Sequence, residues 1–451
     1  MTATGTINGQ RLGAPSLPPG PPLPMPVQTV LWGACNGPFM RWCQRRYGDM
    51  FTIRLPKAAG SGTSVIVADP AAVKEVFGLP AECFTAAELA PVLEPFLGAR
   101  SVLLLDGDRH RRERRLLTRG LHGEATSTYA EWVEEITEQD VASWPAGRAF
   151  AVWPHMQAIT LTVMMRAVFG VPPGPELDEI RKPVHRMVSD RGSVLILNPA
   201  WRKDFGQRSP WGRFIRLRAD VHRMVEDEIA RRRQAHDLES RVDIMSMLIQ
   251  ARDEDGKGLD DLELRDELMT MLFAGHETSA TALAWAFDLL VHHPQVLDRL
   301  NSTLDDGDET YLDAVVKEVL RLRPVIPDVG RVLTQQVSIG GRTLPAGVSV
   351  GPNLALLHRR PDLYPDPLAF RPERFLSQPA ESPQWIPFGG GIRRCLGAPF
   401  ATMEIRTVLR TVLRRMRLGP GSSRLARPRR RAVTLTPHNG APVIVTTRSK
   451  P

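Results

Sequence analysis

Helical periodicity limits this chain more than any other feature. Apolar residues recur at three- and four-residue spacing over Tyr129 to Val141, Trp211 to Arg233, Asp260 to Val291, Tyr311 to Arg321 and Ala398 to Met416. Strand-like alternation is confined to short pieces. These are Phe51-Thr-Ile-Arg-Leu, Ser64-Val-Ile-Val, the stretch from Val337 to Leu344 with its Gly340-Gly341 turn, and Pro442-Val-Ile-Val-Thr. No repeat at a fixed spacing and no composition break divides the middle of the chain. The expectation is a mainly α protein with a small β region: one large domain over 27–451, preceded by a Pro/Gly-rich flexible leader over 1–26.

Composition narrows the function classes. Of the 451 residues, 42% are hydrophobic and 24% charged, ordinary globular proportions with enough apolar material for a sizeable core. The 58 Lys and Arg against 50 Asp and Glu leave a net charge of +8, which favours acidic partners without choosing among them. Four cysteines, Cys35, Cys43, Cys83 and Cys395, are too few and scattered for a disulfide framework, and no C-x-x-C pair exists. The first three are expected as small buried apolar residues. The N-terminus lacks the charged start and apolar stretch of a signal peptide, and no apolar run reaches the roughly eighteen residues of a membrane span. A cytoplasmic, soluble protein is expected, with weak peripheral membrane association as the alternative.

Within the longest periodic stretch the centre reads Ala274-Gly-His-Glu-Thr-Ser. Glycine costs about 1 kcal/mol in a helix interior, so something large is expected to come close there. A threonine at that point can bond a preceding carbonyl and loosen the helix. A carboxylate beside a hydroxyl is a candidate proton relay. The plain alternative is a solvated Glu277 on a helix surface. Downstream, Glu318 and Arg321 share a helix face at i, i+3, which alone is usually a surface ion pair. Arg374, within FRPERF, could give a buried carboxylate a second guanidinium.

The stretch DGDRHRRERRLL, from Asp106 to Leu117, is intensely basic. No aromatic residues interleave with its charges as a nucleic-acid stacking surface needs. His110 and Arg114, at i and i+4, suit a small dianionic ligand such as the propionates of a haem; the alternative is a solvated basic helix. In FGGGIRRCLG, Phe388 to Gly397, glycines let backbone pass close to a flat ligand. The helical run begins at the cysteine, so the thiol sits at a helix N-terminus, which favours thiolate. A thiolate held by amides with arginine nearby is a strong axial donor for haem iron.

These residues resemble the cytochrome P450 monooxygenases. FGGGIRRCLG has every fixed position of that family's haem loop, F-G-x-G-x-[RH]-x-C-x-G: Phe388, Gly389, Gly391, Arg393, Cys395 and Gly397. Ala274-Gly-His-Glu-Thr-Ser is similar to its oxygen-binding segment, Glu318-Val-Leu-Arg321 to its E-x-x-R, and Pro372-Glu-Arg-Phe to its P-E-R-F, in family order. The resemblance implies the family's fold, a single large domain whose long central helix crosses the haem. It implies haem b with Cys395 as the metal-binding axial thiolate. Glu277 and Thr278 would supply protons on the dioxygen side. His110, Arg114, Arg331 and Arg393 would hold the propionates, Phe388 would pack beside the thiolate, and Gly397 would belong to the loop. Glu318, Arg321 and Arg374 would form a structural triad.

The implied reaction inserts one atom of dioxygen into a lipophilic small molecule. No flavin- or ferredoxin-type domain is fused to the chain, so electrons are expected from a separate ferredoxin and ferredoxin reductase. By family position, Leu89 to Leu104 (Leu93 and Phe96 above all), Phe273, Ala274, Val325 and Ile326 would line the substrate pocket, while Val194-Leu-Ile-Leu and Trp201 would fall in a mobile lid. The link from Pro294 to Tyr311 looks short for the family. The basic tail is a solvated surface or a docking site for an acidic ferredoxin. Two alternatives remain: a haem-thiolate peroxygenase or isomerase, and a non-enzymatic haem-binding or nucleic-acid-binding protein without sequence specificity.

Overall fold

The computed structural model describes residues 6–7, 10–11, 14–56, 62–85, 90–121, 125–172, 174–189, 202–206, 208–377 and 384–448. Its chain contacts divide it into two compact units. The first gathers residues 1–91, 321–369 and 379–395, and the second gathers 92–320, 370–378 and 396–451.

The first unit is built on a five-stranded sheet in the order Met50–Arg54, Thr63–Val67, Ser349–Pro352, Arg331–Leu333, Phe84–Thr85. Phe51 pairs with Ile66 across the antiparallel hairpin, and Val350 runs parallel to Val65. The inward residues Val65, Val67, Val350 and Leu333 are fully buried against Val73 and Val76 of the helix Pro70–Phe77. Strand Val337–Ile339 pairs with Arg342–Leu344 through the expected Gly340-Gly341 turn. The Pro/Gly-rich stretch is held over its described part, contrary to a flexible leader. The Thr52 amide and hydroxyl donate to the carbonyls of Pro19 (3.0 Å) and Pro18 (2.7 Å), and the Ser16 amide donates to Thr343. Gly20 is obligatory there, because a Cβ would fall 1.9 Å from the Thr52 oxygen.

The second unit is helical. Its spine is the long helix Asp261–Val291, capped by Asp260, whose carboxylate accepts from the amides of Leu262 and Glu263. Most of its residues from Leu264 on are buried, as a helix enclosed on nearly every face requires. Helices Trp153–Phe169, Ala398–Arg415 and Pro210–Arg233 pack against it. The Trp285 indole N–H donates to the Leu435 carbonyl at 2.7 Å, and the buried Asp288 carboxylate accepts from the Ala426 amide, tying the helix to the chain's C-terminal strands. Within the stretch from Pro294 to Tyr311, residues Pro294–Asp305 form a helix with Leu297, Leu300 and Leu304 buried. The basic tail is folded too: Pro428–Arg431 pairs with Thr434–Pro437, and Arg417 binds Asp305 at 3.1 Å. Cys43 and Cys83 are buried as expected, and burial pushes the Cys43 thiol up to about 12, whereas Cys35 is exposed.

Candidate functional site

In the first unit, backbone geometry shapes the cysteine loop. Gly389 and Gly391 hold φ of +70° and +66°, where side chains are strained. A Cβ on Gly391 would lie 2.1 Å from the Phe77 carbonyl oxygen, and one on Gly390 would strike the Phe77 ring. Those two glycines therefore serve the chain's own packing against Phe77. Gly389 and Gly397 differ, since nothing lies within 4 Å of a Cβ built on either. The Cys395 amide donates to the Phe388 carbonyl at 2.9 Å and closes the loop. Cys395 is exposed and forms no disulfide, and Trp385 stands edge-on to Phe388 with ring centroids 6.1 Å apart. The helix expected to start at the thiol begins three residues later, at Ala398, with Gly397 as its cap.

Arg331 tests whether these residues suit an anionic cofactor. It is 3% exposed. Its Nη2 donates to the Gly390 carbonyl at 3.0 Å, and the guanidinium lies over the rings of Phe77 and Phe84. Nε and Nη1 are buried without an acceptor. Burial, and then the neighbouring charge of Arg393, brings its pKa down to about 10. A buried cation with two idle donors needs an anion. Together with an outward-facing thiol, this donor set fits a haem carrying propionates and taking a cysteine ligand.

In the second unit, Glu277 and Thr278 sit adjacent on the long helix. The Thr278 hydroxyl donates to the Ala274 carbonyl at 2.6 Å, the local back-bonding expected of it. Gln157 donates to Glu277 Oε2 at 3.0 Å. Glu277 Oε1 is buried with no hydrogen-bond donor, 3.9 Å from Arg431 Nε. Burial raises the Glu277 pKa; Arg431 and Gln157 oppose that rise. The side chain is only 18% exposed, so it is not a solvated surface acid. At Gly275 the protein neighbour is Met164, whose sulfur would lie 2.6 Å from a Cβ there.

The basic helix Gly107–Leu121 turns His110 inward at 3% exposure. Its outer arginines have partners: Arg111 binds Asp108, Arg112 binds Asp253 at 2.6 Å, and Arg115 binds Glu254 at 2.7 Å. Arg111, Arg112 and Arg115 are thus neutralised rather than bare. Glu318 is fully buried and accepts from Arg374 Nε at 3.2 Å and from the Arg371 amide at 2.8 Å. Arg321, also fully buried, donates to the carbonyls of His358, Pro367 and Ala369 in the first unit. Glu318 and Arg321 are therefore not a surface ion pair.

Of the expected pocket residues, Phe96 and Phe273 come together in the second unit, centroids 5.8 Å apart. Ala274 is exposed beside Phe273, and Leu93 is half-buried. Val325 and Ile326, in the first unit, are half-buried. Leu89, Val194-Leu-Ile-Leu and Trp201 lie outside the described residues. Phe214, centroid 4.8 Å from Phe96, extends this apolar group and was not singled out from sequence. Nor were Gln157 and Arg431: one is brought in by helix packing and the other by strand pairing, and neither carries a local signal.

Comparison with known proteins agrees with this geometry. The family model "Cytochrome P450" matches residues 18–442. A Mycobacterium tuberculosis protein named cytochrome P450 135B1 is 42% identical over 438 residues, covering 95% of this chain and 91% of its own length. One named cytochrome P450 138 from the same species is 38% identical, covering 90% of each. Among solved structures, a retinoic acid-bound cyanobacterial CYP120A1 superposes with a TM-score of 0.81 at 24% identity, covering 97% of this chain and 100% of its own. A cytochrome P450DA mutant haem domain gives a TM-score of 0.83 at 21% identity, covering 97% and 98%.

Proposed function

This chain belongs to the cytochrome P450 family and is a haem-thiolate monooxygenase, and on that premise we propose how its own residues divide the work. Cys395 would supply the thiolate that holds the haem, presented by a loop that its glycines preshape. Arg331, Arg393, His110 and Arg114 are the residues that would hold the propionates. Phe388 shields the thiolate, and the open space at Gly389 and Gly397 accommodates a flat group. Glu318, Arg321 and Arg374 brace the chain. When bound, the haem supplies the centre at which dioxygen is activated.

Glu277 carries the oxygen-side chemistry. One carboxylate oxygen is fixed by Gln157, while the other is buried, without a donor and near Arg431. Burial raises the Glu277 pKa and the Arg431 guanidinium opposes that rise, so Oε1 is placed to take up and release a proton. Thr278 loosens the adjoining turn by occupying the Ala274 carbonyl. This relay favours a dioxygen-consuming enzyme over a peroxygenase or isomerase, which has less use for it. Phe96, Phe214 and Phe273 make an apolar wall suited to a lipophilic substrate, with electrons arriving from a ferredoxin and its reductase.

The test begins with the absorption spectrum of reduced, carbon monoxide-treated protein, whose red-shifted Soret band should vanish in C395S. Isotopically labelled dioxygen is then supplied with a plant-type ferredoxin and reductase and a panel of fatty acids, terpenoids, steroids and aromatics. One labelled oxygen per product is expected, and E277Q should lower product per dioxygen consumed by roughly 100-fold. Unlabelled product, or equal yield from hydrogen peroxide without reductase, would move the assignment to a peroxygenase.

A further inference from the structure

Two carboxyl groups outside the machinery just described face each other in the second unit. Glu113, on the basic helix, is 1% exposed, and Glu267, on the long helix, is fully buried. Glu267 Oε1 accepts from the Val102 amide at 2.6 Å. The remaining oxygen of Glu267 and Oε2 of Glu113 are both buried with no donor. Two acceptors that exclude water and lack a donor are satisfied together only if a proton lies between them.

We propose that Glu113 and Glu267 share one proton, and that this bond clamps residues 98–102 and the basic helix onto the long helix. Adjacent contacts complete the clamp. The Arg100 amide donates to Asp266 Oδ2 at 3.0 Å, and the Thr270 hydroxyl donates to that of Ser101 at 2.7 Å. Gly98, at φ +87°, presses so closely that a Cβ would lie 2.0 Å from the Asp266 carboxyl carbon. The clamped segment follows Phe96 and leads into His110 and Arg114. Glu113 and Glu267 are thus positioning residues for both, and the bearing on His110 and Arg114 rests on the propionate assignment above.

The charged surroundings fit this state. Around Glu113 stand Arg109 and Arg112 of its own helix and Glu263 of the long helix; Asp266 lies beside Glu267. Arg112 is already engaged by Asp253, and Asp266 by Arg265. Burial raises the pKa of Glu113 to about 7 and that of Glu267 well above the usual carboxylate range. The pair therefore keeps a proton through neutrality, and the bond is lost only as rising pH removes that last one.

Infrared spectra of haem-loaded wild type, E113Q and E267Q at pH 6.5 test the sharing directly. In either variant the amide N–H supplies the missing donor, so the protonated-carboxyl C=O band belonging to the pair should be lost from both difference spectra. Amide exchange at Val102, corrected for intrinsic rate, should quicken from pH 6.5 to 8.5 in wild type and stay flat in E113Q. If the band survives in E113Q, or the pH dependence of exchange is the same in both proteins, the shared proton is disproved. Neither readout depends on turnover or redox partner, so failure of the monooxygenase assignment would not produce these results.

Discussion

The cysteine loop of the first unit and the acid turn of the second reach function by opposite means. The loop is made of backbone: two glycines at positive φ, one main-chain bond closing on Phe388, and close contact with Phe77. The acid turn is made of side chains brought from far along the sequence, Gln157 from one helix and Arg431 from a C-terminal strand. A backbone-built site tolerates almost no change at its defining positions but is written in one contiguous stretch. A side-chain-built site can be retuned at its periphery, and its tuning residues are scattered.

The largest expected effect comes from breaking the loop. At Gly391 an alanine meets the left-handed backbone, worth roughly 1–2 kcal/mol, and a clash with the Phe77 carbonyl that only main-chain movement can relieve. G391A should destabilise the protein and abolish its thiolate-type carbon monoxide spectrum, measured by thermal melting and absorption. A normal spectrum would show that the loop is less constrained by its backbone than its geometry implies.

R331M separates cofactor binding from stability. The guanidinium is buried with two idle donors and no carboxylate partner among the described residues. Replacing it removes a desolvated charge, so the haem-free protein should melt no lower than wild type, while haem should dissociate faster. Faster haem loss accompanied by an equally large fall in haem-free stability would make Arg331 a structural residue instead.

This contrast also explains what could be read beforehand. The helices Pro210–Arg233, Asp261–Val291 and Ala398–Arg415 and the sheet hairpins were all legible, because each is specified by periodicity or a contiguous pattern. The anchoring of residues 16–19 was not legible, because its partners are the Thr52 amide and hydroxyl and the Thr343 carbonyl, far along the chain. The protein neighbours of Gly390, Gly391 and Gly275 were not legible for a related reason. Sequence says that a Cβ is unwelcome but not which neighbour excludes it, and the neighbours are Phe77 and Met164. Arg431 looked like part of a solvated tail until strand pairing placed it 3.9 Å from Glu277.

The side-chain-built turn should respond by degrees. Burial raises the Glu277 pKa and Arg431 opposes the rise, so R431Q should raise it further. The proton is then released only at higher pH, and the midpoint of the pH profile of coupling, product per dioxygen consumed, should move alkaline. E277Q serves as the reference lacking that titration. An acid shift, or no shift, would remove Arg431 from the turn's electrostatics.

The smallest effect should come from the other glycine. At Gly275, as at Gly391, a Cβ has no room, yet the obstacle is the thioether of Met164 rather than a carbonyl. Methionine has three rotatable bonds and can swing aside at modest cost. Alanine in a helix interior gains about 1 kcal/mol over glycine. The two terms nearly cancel, so G275A should change the melting temperature little. Trimming the obstacle in the M164A background should let the helix gain emerge, making G275A stabilising there relative to M164A alone. If G275A is as damaging as G391A in both backgrounds, the long helix is as rigidly seated as the cysteine loop, and the distinction between a backbone-built and a side-chain-built half fails at its most sensitive point.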